Sequence, residues 1–174
     1  MMTGARRIFD IHVDGLDEPM RVVSNPNDDD LIDARERAAL KAWRKVRFQR
    51  NAVPQRNELN ADLLDQLSAN LMELDVLPDG DLVYAHCGRA IAAAFGENVT
   101  GRRTSELPTP ISKVFLSVYQ LAIKYPIPFS TRHSSPLDVV GYWHRLILPV
   151  DAAETGRARR FVVCSLPIGD SPAS

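Results

Sequence analysis

The last third of the chain constrains the fold most. Three runs rich in β-branched, aromatic and aliphatic residues, at 129–133, 140–150 and 159–166, are separated only by the turns at 134–138 and 151–156. A parallel crossover needs roughly a dozen residues or more, so strands joined this closely run antiparallel. An earlier pair, Leu74-Asp75-Val76-Leu77 and the run from Leu82 to Cys87, flanks the turn Pro78-Asp79-Gly80-Asp81 and reads as a hairpin. Helical segments lie between the pair and the trio. Residues 90–95 form a short helix closed by Gly96, and residues 104–107 one helical turn stopped by Pro108 and Pro110. A longer helix over 111–124 carries Ile111, Val114, Phe115, Val118, Leu121 and Ala122 as a core-facing stripe, and Pro126 and Pro128 end it.

The chain ahead of the hairpin has a different texture. Residues 8–13 and 20–23 alternate briefly, then the polar cluster 24–30 leads into a helix predicted over about 30–49. Asn27 or Asp28 caps it, and Asp28, Asp29 and Asp30 complement the positive end of its dipole. Ala39, Ala42, Trp43 and Val46 recur on one face; Arg35, Arg37, Lys41, Arg44, Lys45, Arg47 and Arg50 lie mostly elsewhere, with Glu36 the one acid among them. A second helical segment follows Pro54, with Asn60 as its cap and Leu63, Leu64, Leu67 and Leu71 as its apolar stripe. The expected division is an N-terminal arm over 1–30, a helical extension over 31–70, a sheet-and-helix domain over 71–168 and a frayed tail over 169–174.

At 174 residues, one domain is the default, and a chain of this size needs no disulfide framework to hold a core. Its two cysteines, Cys87 and Cys164, fit reduced thiols. A formal net charge of -1 removes the global attraction to nucleic acid that a basic protein has, so nucleic acid is not expected as a partner. The positive start is followed by Asp10, His12, Asp14, Asp17 and Glu18 instead of an apolar stretch, so no secretory signal is expected; nor does any run reach the roughly 20 apolar residues of a membrane span. A cytoplasmic protein is expected.

Strand, strand, short helices, longer helix and three strands suggest an α+β fold: a five-stranded antiparallel sheet with helices on one face and an N-terminal helical extension. From about Trp43 to Leu166, roughly 70% of the chain, the sequence resembles the PAS-like domain family of short, free-standing alphaproteobacterial proteins. The residues that carry the resemblance are Trp43-Arg44, Pro54-Gln55-Arg56, Leu74-Asp75-Val76, Tyr84, Gly88, Leu146-Ile147-Leu148-Pro149 and above all Phe95-Gly96-Glu97-Asn98-Val99-Thr100-Gly101-Arg102. The chain departs from the family where Tyr-Arg is usual before the glycine, having Tyr84-Ala85-His86-Cys87, and has Arg89 where the family often has Thr. The resemblance implies a sensory or regulatory domain and no defined reaction.

The four histidines, His12, His86, His133 and His144, show no metal-ligand spacing. Haem is disfavoured because the long helix contains no histidine. Flavin of the light-sensing type is disfavoured because Cys87 sits in His-Cys-Gly-Arg and not in Asn-Cys-Arg. No cofactor is predicted. No Gly-x-Ser-x-Gly elbow or Gly-Lys-Ser loop is present, so no catalytic residue is assigned.

A ligand pocket is expected from Tyr84, His86, Phe95, Phe115, Tyr119, Phe129, Trp143 and Arg145, which combine apolar walls with a few orienting polar groups. The competing reading is that these side chains fill the core. Trp43, Arg44 and Arg47 are the candidate interface residues on the basic helix.

The preferred function is a PAS-type regulatory domain that binds a small ligand or a partner protein. No output motif follows before Ser174, so a separate output protein is expected. One alternative is a ligand-free homodimeric interaction module. The other, less favoured, is a small enzyme with His86, His144 or Asp75 as general base.

Overall fold

The computed structural model describes residues 4–108, 110–134 and 141–168. Seven strands form one sheet: β1 (Arg7–Ile11), β2 (Met20–Ser24), β3 (Leu71–Val76), β4 (Leu82–Cys87), β5 (Phe129–Ser134), β6 (Tyr142–Val150) and β7 (Arg160–Ile168). Their order is β1-β2-β5-β6-β7-β3-β4, and every pairing is antiparallel. The helices are α1 (Ala34–Arg50), α2 (Ala61–Leu67), α3 (Arg89–Phe95) and α4 (Ile111–Lys124). From β3 onward this is the element order that the PAS resemblance implies, and the class is α+β.

The strand count differs from the five expected. The N-terminal arm is not loose: β1 and β2 form a hairpin whose second strand pairs with β5, with Val22 opposite Thr131. The pairing covers an edge that β5 would otherwise present to solvent and buries Met20, Val22 and Val23.

Helices cover both faces of the sheet, not one. Met72 and Leu74 of β3, Trp143 and Ile147 of β6, and Phe161 and Val163 of β7 face one core with α3 and α4. The intervening residues Leu146, Leu148, Val150, Val162, Cys164 and Leu166 face a second core with α1 and α2. The signal lies in the composition of β6 and β7. Every residue from Trp143 to Val150 is buried, and a strand covered on both faces reads as a continuous apolar run instead of alternating. The helical extension is therefore the lid of the second core.

Local chemistry sets the ends of these elements. Asp33, not Asn27 or Asp28, caps α1: its side chain accepts from Arg35 N at 2.7 Å, while Asp28–Asp30 makes a separate 3-10 turn. Asn60 caps α2 by accepting from Leu63 N at 3.1 Å. Gly96 ends α3 at φ 77°, a left-handed conformation that glycine adopts without strain. Gly88, which opens α3, has a tighter reason. A Cβ there would lie 2.5 Å from the carbonyl oxygens of both Ser68 and Ala69, so only glycine lets β4 turn against the segment before β3.

The buried face of α1 comprises Glu36, Ala39, Leu40 and Trp43, while Ala42 and Val46 are half-buried. Trp43 is buried, and its indole N–H donates to the carbonyl of Pro149 at 2.7 Å. The expectation that Trp43 offers itself to a partner is thereby corrected, since the side chain is spent inside its own chain. The expected turn at 135–138, the strand start at residue 140, the packing of Ile111 and the tail at 169–174 lie outside the described residues. Among the described residues no helix is long and apolar enough to cross a membrane.

Candidate functional site

Period two along β6 sends Trp143, Arg145 and Ile147 to the α4 side of the sheet, and along β5 it sends Phe129, Thr131 and His133 to the same side. The cross-strand pairs are Phe129 with Ile147, Thr131 with Arg145, and His133 with Trp143. From above, α4 lowers Phe115 and Tyr119 onto them. The result is a cavity of about 10 Å³ lined by Phe115, Tyr119, Thr131, His133, Arg145 and apolar neighbours that include Met20 and Ile147. That is close to the least volume that holds one water molecule, so as packed it admits no organic molecule.

Arg145 dominates the electrostatics. It is 5% exposed, and its guanidinium carbon lies 3.5 Å from the centre of the Phe115 ring. Its Nη1 reaches the Tyr119 hydroxyl only at 3.5 Å, and its Nε has no hydrogen-bond partner. Among the described residues no carboxylate pairs with it. Burial pulls its pKa below the ordinary arginine value, yet guanidinium keeps its proton in proteins, so the positive charge persists. A desolvated cation over an aromatic face gains about 2 kcal/mol, whereas leaving a buried charge without a counter-ion costs several. The Phe115 face therefore offsets only part of the cost.

The other polar atoms around the guanidinium are also unspent. His133 holds the carbonyl of Ser134 with Nδ1 at 2.8 Å; a proton assigned to that nitrogen leaves Nε2 as an acceptor, and Nε2 is without a partner. Burial first, and then the Arg145 charge, push the His133 pKa down to about 4, so its ring is neutral at pH 7. The hydroxyl of Thr131 is buried without a hydrogen bond among the described residues. Burial also raises the pKa of both Tyr84 and Tyr119, so each remains a phenol.

Of the eight expected pocket residues, Phe115, Tyr119 and Arg145 line the cavity. Phe95 is half-buried and meets Phe115 edge-on at 6.3 Å, while Phe129 and Trp143 lie in the same core. Tyr84 belongs to that core as well, and its charge state responds to Tyr119 and Arg145. His86 is placed elsewhere. The register slips between Glu73 and Leu74, so that Met72 and Glu73 oppose Cys87 and His86 but Leu74 opposes Tyr84. The extra residue on β4, Ala85, reverses the alternation, burying Cys87 and leaving His86 exposed.

His133, Thr131 and Met20 were not named as pocket residues. The first two share the Phe129 strand face at period two, a signal present in the sequence; Met20 arrives through the β2–β5 pairing, which is not written locally.

The three candidate general bases do not converge. Asp75 is held by Arg160 Nε at 2.6 Å on β3, and His86 is exposed on β4. His144 lies in the second core, where Nδ1 is 2.9 Å from Glu36 Oε1 and Nε2 is 3.0 Å from the carbonyl of Asp30. Glu36 is fully buried, and its other oxygen accepts from Ile32 N at 3.2 Å. No cluster of three or more metal-ligating side chains occurs among the described residues. Arg44 donates to Asn25 Oδ1 and the carbonyl of Pro26, at 3.0 and 2.6 Å, and is half-buried, as is Arg47.

No family model matches the chain, and no curated protein does. Among solved structures, an RNA-binding light-oxygen-voltage receptor aligns at 20% identity and a TM-score of 0.39, over 61% of this chain and 32% of that one. The light-state structure of the blue-light photoreceptor Aureochrome1 LOV aligns at 14% identity and a TM-score of 0.41, over 63% of this chain and 89% of that one. This chain thus spans about a third of the first structure's length. The expectation of no cofactor, with flavin disfavoured, is corrected by these matches, which are by their descriptions a light-oxygen-voltage receptor and a blue-light photoreceptor.

Proposed function

We propose that the chain is a PAS-type sensory domain that binds a small molecule between α4 and the β2-β5-β6 part of the sheet. The observation that supports the reading is the set of buried polar atoms without partners on residues that line one small cavity: Arg145 Nε, His133 Nε2 and Thr131 Oγ1. A folded protein leaves few such atoms, and each costs roughly 1–3 kcal/mol. Three in one place suit a site that is completed by something other than the protein.

Because the cavity is closed to organic molecules as packed, occupancy requires α4 to lift from the sheet. A ligand that favours the lifted packing shifts the population toward it, which is how binding becomes a signal. The second core carries α1 on the reverse face of the same strands, so the two helical layers share β6 and β7. In this reading, output passes through a separate protein that contacts the α1 side.

Mass spectrometry of the natively purified full chain tests the reading. The expected result is a non-covalent adduct lost on denaturation; a bare chain mass in every preparation, with no small molecule that raises Tm, contradicts it.

A further inference from the structure

The three orphaned atoms call for a ligand; the charge among them says which kind. Among the described residues, Arg145 is the one formal charge at the cavity. His133 is neutral there, Tyr119 is a phenol, and Phe115 and Met20 carry none. A ligand bearing one negative charge would balance the guanidinium, whereas a dianion would overshoot and a neutral ligand would leave it unpaired. Guanidinium presents its donors as a planar fork, a geometry that a carboxylate matches with two parallel hydrogen bonds. Beyond the fork the walls are aromatic and aliphatic: Phe115, Tyr119, Met20, Val118 and Ile147. The remainder of the ligand must therefore be apolar.

We infer that Arg145 is the receptor group for a small apolar monocarboxylate bound between α4 and the sheet. The inference rests on the ligand-binding reading above and adds the charge and class of the ligand.

Thermal unfolding of the full chain with three probes of similar size, the anion benzoate, the neutral benzamide and the cation benzylammonium, tests it against Arg145→Met. Methionine fills similar apolar space without charge, so this variant is expected to fold with Tm equal to or above that of the parent. The expected result is a saturable rise in Tm with benzoate, with benzamide and benzylammonium at least tenfold weaker and the benzoate effect lost in Arg145→Met. Arg145→Lys, which keeps the charge but not the fork, is expected to retain only a fraction of the benzoate affinity.

A benzoate effect that is unchanged in Arg145→Met overturns the assignment of Arg145. A saturable response to benzamide that exceeds the response to benzoate overturns the monocarboxylate class and leaves the ligand-binding reading intact. No response to any probe, with an adduct still present in native mass spectra and proved neutral, does the same. No response with no adduct removes both.

Discussion

Arg145 and His133 are neighbours with opposite problems: one cannot lose its charge, and the other is kept from gaining one. A His133 pKa near 4 in the folded chain, against an ordinary value of 6.5, means that the unfolded chain takes up a proton first as pH falls. Stability from this residue is therefore complete above about 6.5, declines between 6.5 and 4, and is flat below; the gap amounts to roughly 3 kcal/mol. Arg145 on β6 and Tyr119 on α4 are the charged and titratable groups that share its cavity. Urea unfolding of the parent and His133→Leu at pH 7, 5.5 and 4.5 checks this. The parent should lose stability more steeply than the variant, and parallel curves would show that His133 titrates as it does in water. His133 was legible only as a member of a strand face, because nothing near it in sequence announces the arginine across the ladder. Arg145, by contrast, stood out as the one charge expected inside.

At the scale of elements, the sequence carried most of the boundaries that local chemistry decides. Residues 82–87 and 111–124 appear where their periodicity placed them, and Asn60 and Gly96 end their helices as their side-chain chemistry requires. Two errors share one cause, which is that long-range pairing is not written in local pattern. The β2–β5 ladder turned an arm into sheet, and α1 found a second core on the reverse face. The signal for that second core was Glu36, whose position on the stripe with Ala39, Leu40 and Trp43 marks it as buried and in need of a partner; the partner, His144, lies 108 residues away.

The docking of α1 makes a clear prediction. Trp43→Phe keeps much of the packing but strands the Pro149 carbonyl, for a loss of about 1–2 kcal/mol, whereas Trp43→Ala also opens a cavity and loses about 3–5 kcal/mol. Both losses should be independent of protein concentration in chemical unfolding. A loss that scales with concentration would return Trp43 to a subunit interface.

For the whole molecule, the sheet is a shared wall. One face closes over a cavity with unspent polar groups, and the other is sealed by α1 through Trp43 and the Glu36–His144 pair. Strands β6 and β7 contribute to both cores, so α4 and α1 pack on opposite faces of the same hydrogen-bonded strands. Fold class and the aromatic character of the cavity were readable from pattern. Its closure and the absence of a paired carboxylate among the described residues depend on three-dimensional packing.

The most direct measurement follows the arginine Nε–H resonances of the 15N-labelled full chain during a benzoate titration. Arg145 Nε has no partner among the described residues, so its resonance should move saturably as a carboxylate arrives, with the shift absent in Arg145→Met. Saturable movement of surface arginines alone, with the Arg145 resonance unmoved at saturating benzoate, would contradict an interior ligand site.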